Sequence, residues 1–240
     1  VSYVPHGINE NIFKPLDSIS DEVKNIVNGT KEYDFILFYN SRNIRRKQPS
    51  DVIYSFRLFC DKLTKEQSSR CLLLMKTNQV DNNGTDLGAV VDTLCKDYDV
   101  KIFENKIEQE TLNELYNISD CTINIANNEG FGLGTTESLM SGTPIIVNVT
   151  GGLQDQLGIT DDNGNPVEFT RDFGTNCTGR YKNHGKWAKP VWTKVHNMQG
   201  SPPTPYILDD MTNYSDIADA IMYWYLVGPE KREECGKEGR

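Results

Sequence analysis

No Cys-x-x-Cys pair occurs among the six cysteines, Cys60, Cys71, Cys95, Cys121, Cys177 and Cys235. That absence argues against a disulfide frame or a zinc site. Three of the six lie in or beside apolar periodic segments, so they read as small core residues of a reducing, cytoplasmic compartment. No apolar run reaches the length of a membrane span; residues 217–227 are too few and include Asp219. No signal-peptide pattern is visible, so triplets such as Asn117-Ile118-Ser119 read as chance and not as glycosylation sites. Basic charge is in deficit, with 25 Lys and Arg against 34 Asp and Glu, a net charge of −9 and a pI near 4.9. Nonspecific binding to nucleic acid or to an anionic membrane is disfavoured.

Against that acidic background one basic run stands out, Arg42-Asn43-Ile44-Arg45-Arg46-Lys47. It follows a continuous apolar stretch at 33–39, the pattern of a strand buried on both faces. Further apolar runs at 71–75, 100–103, 121–126 and 143–149 predict four more strands. Helical spacing predicts helices at 49–63, 87–95, 109–116, 135–141 and 217–226. With 240 residues, strands alternating with helices predict an α/β domain with a doubly wound, Rossmann-like parallel sheet. Ligands of such sheets bind outside the carboxyl ends of the strands. Position after a strand makes phosphate contact the better reading for Arg42 and Lys47, and a solvated surface the better one for Arg45 and Arg46.

Residues 129–137 read Glu-Gly-Phe-Gly-Leu-Gly-Thr-Thr-Glu, two carboxylates separated by seven residues of which three are glycines. A strand-like run precedes them and a helix-like run follows. A glycine-rich turn into a helix presents unpaired backbone N–H groups and the positive end of the helix dipole, an anion site. Carboxylates beside such a site suit hydroxyl-bearing rings. A diphosphate flanked by two polyols, that is, a nucleotide sugar, is the ligand this layout suggests. A Rossmann dinucleotide fingerprint is excluded, because Thr135 occupies the place of the third glycine and the turn follows the fourth strand.

These residues resemble the Glu-x7-Glu motif of retaining GT-B glycosyltransferases, glycosyltransferase family four in particular. The likeness continues through residues 138–147 and the pair Gly151-Gly152. Val4-Pro5-His6-Gly7-Ile8-Asn9, with Phe13 and Pro15, resembles the segment that opens the C-terminal half of these enzymes. The pair Arg42 and Lys47 resembles the family's phosphate-binding Arg and Lys. The likeness covers most of residues 1–158, and the ordered set is far more specific than any single piece.

The resemblance implies transfer of a sugar from a nucleotide-diphosphate sugar to an acceptor hydroxyl with retention. Arg42 and Lys47 would hold the phosphates, assisted by the N–H groups of Phe131, Gly132 and Leu133. Glu129 would sit against the transferred sugar, and Glu137 would accept hydrogen bonds from the ribose hydroxyls. Neither metal nor cofactor is implied, because cations and helix dipole serve the diphosphate; Asp97-Tyr98-Asp99 reads as a chance Asp-x-Asp. It also implies a preceding domain that binds the acceptor (a glycan, lipid or protein), this chain being a fragment that binds donor without turning over. Ser41, Gln48-Pro49, Gly134, Ser138 and Gln154-Asp155 depart from the usual pattern without removing a charged ligand.

The expected organisation is a hinge segment and lead-in at 1–30, a nucleotide-sugar-binding domain at 31–228 and a mobile charged tail at 229–240. Residues 160–210, rich in Gly, Asn and Pro, read as a long irregular insertion. Its Trp187 and Trp192 are better read as loop anchors than as sugar-stacking platforms. Competing readings are a non-catalytic nucleotide-sugar-binding module, a sugar-nucleotide epimerase, a phosphorylase (disfavoured by the lack of a pyridoxal-type lysine motif) and, further behind, a glycoside hydrolase.

Overall fold

The computed structural model describes residues 6–27, 29, 31–167 and 183–240. Cys177 and part of the expected insertion therefore lie outside the described residues. The elements run α1 (Asp21–Val27), β1 (Phe35–Asn40), α2 (Pro49–Cys60), α3 (Lys65–Ser68), β2 (Cys71–Lys76), α4 (Leu87–Leu94), β3 (Asp99–Phe103), α5 (Gln109–Ile118) and β4 (Cys121–Asn124). They continue with α6 (Leu133–Met140), β5 (Ile145–Asn148), β6 (Ala188–Val191), β7 (Val195–Ser201), β8 (Thr204–Met211), α7 (Tyr214–Val227) and α8 (Pro229–Gly239).

Six strands form one parallel sheet in the order β3-β2-β1-β4-β5-β6. The order reverses between β1 and β4, the topological switch point where doubly wound sheets open a crevice at their carboxyl edge. Period-two alternation along β1 shows why this sheet needs two covered faces. Phe35, Leu37 and Tyr39 join a core with Val52, Ile53 and Phe56 of α2 and Ile221 and Trp224 of α7. Ile36 and Phe38 join a second core with Val23 of α1 and Leu115 and Tyr116 of α5. Every side chain of that strand except Asn40 is buried, which is what an uninterrupted apolar run encodes. The five described cysteines are free thiols in the interior. No helix among the described residues is long and apolar enough to cross a membrane.

Two expectations need correction. The stretch expected as an irregular insertion contains β6, the sixth strand of the main sheet, and the antiparallel hairpin β7–β8. Pro190 masked β6 from sequence reading, yet an edge strand tolerates proline because its outer N–H positions need no partner. The hairpin lacks an alternating pattern because neither face of β7 is covered; all its residues are exposed. The charged tail is helix α8, with Pro229 in its first turn. It is docked by Arg232, which lies 2.6 Å from Asp120 and donates to the carbonyl of Trp224 at 2.9 Å. A Cβ on its Gly236 would collide with the carbonyl oxygen of Gly142, so the helix approaches the loop after α6 as closely as backbone allows. The described part of the lead-in packs onto the domain, with Phe13, Val23 and Val27 buried in the second core.

Candidate active site

Between β4 and α6 the chain makes a turn whose carbonyls are tied inward. Gln156 Nε2 donates to the carbonyls of Phe131 at 2.6 Å and of Gly132 at 3.1 Å, and Thr135 Oγ1 donates to the Gly132 carbonyl at 2.7 Å. Gly132 caps α6 with φ 93°, the left-handed region that favours glycine. With the carbonyls held back, the amides of Phe131, Gly132 and Leu133 donate no hydrogen bond among the described residues. They form the positive end of a helix pointed at open space. The pair Gly151-Gly152 makes the turn possible. A Cβ on either would strike the carbonyl oxygen of Glu129 or of Gly130, and the Gly152 amide donates to Glu129 O at 2.9 Å.

This turn forms one wall of a cavity of about 570 Å³ at the carboxyl edge of β1 and β4, lined by His6, Asn40, Ser41, Lys47, Glu129 and residues 130–135 among others. Lys47 ends a short 3-10 helix, Arg45–Lys47. Its Nζ forms an ion pair with Glu129 Oε2, and Arg46 Nη1 stands 3.5 Å from the same oxygen while donating to the Asn128 carbonyl at 2.9 Å. Both partners of the Lys47–Glu129 pair are largely withdrawn from solvent, with side-chain exposures of 13% and 11%. Burial pulls the Lys47 ammonium below the ordinary lysine range, while the hydrogen bond and charge of Glu129 act against that shift.

Glu137 lies on α6 four residues beyond Leu133 and three beyond Gly134, hence on the same helix face. Its Oε2 accepts from the Tyr116 hydroxyl at 2.9 Å, and that hydroxyl oxygen accepts from Asn40 Nδ2 at 2.9 Å. Burial pushes the Glu137 carboxyl above its ordinary value, and the Tyr116 hydrogen bond works the other way.

Of the residues singled out from sequence, Lys47, Glu129, Phe131, Gly132 and Leu133 line the one cavity. Glu137 is not among the lining residues, but the Tyr116 hydroxyl links its carboxylate to Asn40, which is. Arg42 is not among the lining residues: its guanidinium is exposed and bound to Asp81, with Nε 2.9 Å from Oδ2 and Nη2 3.4 Å from Oδ1. Sequence reading missed Asn40 and Ser41, although the rule that ligands gather at strand ends points to the residues closing β1. It named His6 only as part of the segment opening the domain, whereas its ring meets Phe131 at a centroid distance of 5.1 Å. It set Arg46 aside as a surface charge, whereas Arg46 contacts Glu129. Asp99 begins β3 at the opposite edge of the sheet and pairs with Lys31.

The hairpin is fastened to this loop. The Asp210 amide donates to the Asn127 carbonyl at 2.9 Å, Asn128 Nδ2 donates to Asp209 Oδ1 at 2.5 Å, and Thr150 Oγ1 donates to Asp210 Oδ2 at 2.7 Å. Trp187 acts as an anchor, its indole donating to the Gln156 carbonyl at 2.9 Å; Gln156 in turn holds the Phe131 carbonyl.

Over residues 20–172 the chain matches the model of a family described as glycosyl transferases group 1. A curated relative, an uncharacterized glycosyltransferase of Methanocaldococcus jannaschii, is 24% identical over 166 residues, 63% of this chain and 43% of that protein. The chain thus spans less than half of the curated relative it matches. Among solved structures, the C-terminal domain of a glycosyl transferase group 1 family protein from Francisella tularensis superposes with a TM-score of 0.63 at 14% identity, covering 97% of this chain and 94% of that one. Sucrose-phosphate synthase of Thermosynechococcus elongatus gives 0.62 at 18% identity over 98% and 45%. Anabaena HepE, solved with UDP and glucose, gives 0.60 at 14% over 97% and 49%. At these identities the solved structures establish the fold, the Rossmann-like half of a GT-B architecture.

Proposed function

This chain belongs to the glycosyl transferases group 1 family, and we propose that it holds the donor site of an enzyme moving a sugar from a nucleotide diphosphate to an acceptor hydroxyl with retention. The observation that carries this reading is the meeting of Lys47 and Glu129 under the unpaired amides of Phe131, Gly132 and Leu133. A diphosphate against those amides replaces Glu129 as the partner of Lys47. Glu129, so released, faces the sugar, and Glu137 receives the ribose hydroxyls.

The barrier to transfer is dominated by charge gathering on the departing diphosphate as the sugar becomes oxocarbenium-like. Positive groups fixed before the reaction stabilise that charge more than the ground state. Arg42 joins them only by leaving Asp81. Because Lys47 and the helix amides supply the positive charge, transfer proceeds without a divalent metal, and a chelator leaves the rate unchanged. The buried thiols fit a reducing cytoplasm. The acceptor, whether glycan, lipid or protein, is bound chiefly by a partner domain, as the likeness in residues 4–15 implies.

Thermal melting in the presence of UDP-, GDP- and ADP-sugars tests the reading. One class raises the melting temperature in step with its concentration over Kd. No stabilisation by any of the three refutes donor binding by this chain. The anomeric configuration of the glycosidic bond formed, read by NMR and compared with that of the donor, tests retention.

A further inference from the structure

Tyr116 is fully buried on α5, and its hydroxyl is the sole hydrogen-bond donor to the Glu137 carboxylate among the described residues. The direction of the contact is set by its neighbour. Asn40 Nδ2 donates to the tyrosine oxygen, so the phenolic proton is free to point toward Glu137 Oε2. Both backbones are pinned as well. Thr143 Oγ1 donates to the Tyr116 carbonyl at 2.7 Å, and the Ser141 hydroxyl donates to the Glu137 carbonyl at 2.7 Å. The Tyr116 ring is wedged edge-on against Phe38 and Phe13, with centroids 5.2 and 6.2 Å away. No cation and no second carboxylate stands against Glu137 among the described residues; burial and Tyr116 are the influences on its charge.

We infer that Tyr116 is a positioning residue for the nucleoside, its hydroxyl oriented by Asn40 so that Glu137 is held ionised with Oε2 engaged and Oε1 open to a diol. This inference rests on the donor-site reading and extends it to a residue that does not touch the ligand. A neutral donor is the suitable partner here. It steadies the carboxylate without the competition that a cation would offer to the hydroxyls of a sugar.

Tyr116→Phe keeps the ring and removes the hydroxyl. Two readouts separate the inference from its premise. The first needs no ligand: in protein labelled with 13C at glutamate carboxyl carbons, the Glu137 titration shifts to higher pH in Tyr116→Phe, and by less in the same direction in Asn40→Ala. The second is a double-mutant cycle on nucleoside-diphosphate affinity by calorimetry. Tyr116→Phe and Glu137→Gln each weaken binding about tenfold, and together they weaken it little more than either alone, because both remove one arrangement. A melting curve of Tyr116→Phe near that of the native protein shows that the fold is intact; if this variant does not fold, the same cycle is run with Asn40→Ala. An unshifted Glu137 titration, or additive losses, overturns the inference while nucleotide binding by the native chain leaves the donor site standing. Failure of the native chain to bind nucleotide overturns both.

Discussion

Glu129 and Glu137 come from one short motif and one turn of chain, yet their surroundings are opposite. Glu129 meets two cations, Lys47 and Arg46, whereas Glu137 meets a buried neutral hydroxyl. A carboxylate paired with cations is exchangeable: an incoming diphosphate takes over the cations and frees it. A carboxylate steadied by a neutral donor keeps its charge in place and offers it to neutral hydroxyl groups. The difference supports the proposal that the diphosphate takes the first position and the polyol the second, on electrostatic grounds beside those of the family.

The largest effect expected is at the exchangeable end. Lys47→Ala removes the cation that answers the leaving diphosphate, costing about 3 kcal/mol in transition-state stabilisation, or roughly a hundredfold in kcat/KM. Steady-state transfer with the stabilising donor, by the enzyme that joins this chain to its acceptor-binding domain, measures it. Next, Glu137→Gln costs about 1.4 kcal/mol of affinity, about tenfold, equally for the nucleoside diphosphate and its sugar conjugate, because the ribose is common to both. Calorimetry with the two ligands shows this, and a loss confined to the sugar conjugate would exchange the roles of the two glutamates. Since burial raises the Glu137 pKa and binding uses the ionised form, affinity declines as pH is lowered through that raised value.

Asp51 shows what burial does when neither kind of partner is present. Burial alone raises its pKa from 3.8 to about 6. Between those values the native protein holds more protons than the unfolded chain, so stability falls as pH rises through this window and stays level above it. Asp51→Asn therefore stabilises at pH 7 by about 1 kcal/mol, after the loss of a favourable charge in the first turn of α2, and the gain vanishes below pH 4. Melting curves at the two pH values decide. The smallest effect is at Asp81. Asp81→Asn releases Arg42 and tightens diphosphate binding by less than about tenfold, the scale of an exposed pair; unchanged affinity would make Arg42 a surface residue.

The site's composition was legible because its chemistry is compressed into a few strand ends. The run through Phe35 and Tyr39 declares a strand covered on both faces, and the glycines between Glu129 and Glu137 declare a turn into a helix. Their partners were not legible, since Tyr116 and Asn40 are spread along the chain and meet only through packing against Phe38. Arg42 shows the converse: its position in sequence suggests the phosphate site, and an exposed arginine is captured by the nearest carboxylate, Asp81. The strand β6 and the helix α8 were hidden by Pro190 and by charged residues, features that edge position and a single buried Arg232 accommodate.

Titrating a nucleotide sugar into the native protein and into Lys47→Ala by calorimetry, with the fold of both verified by circular dichroism, tests the central pairing most directly. The account predicts one saturable site in the native protein and affinity at least about tenfold weaker in the variant. Equal affinity in the two proteins would contradict it.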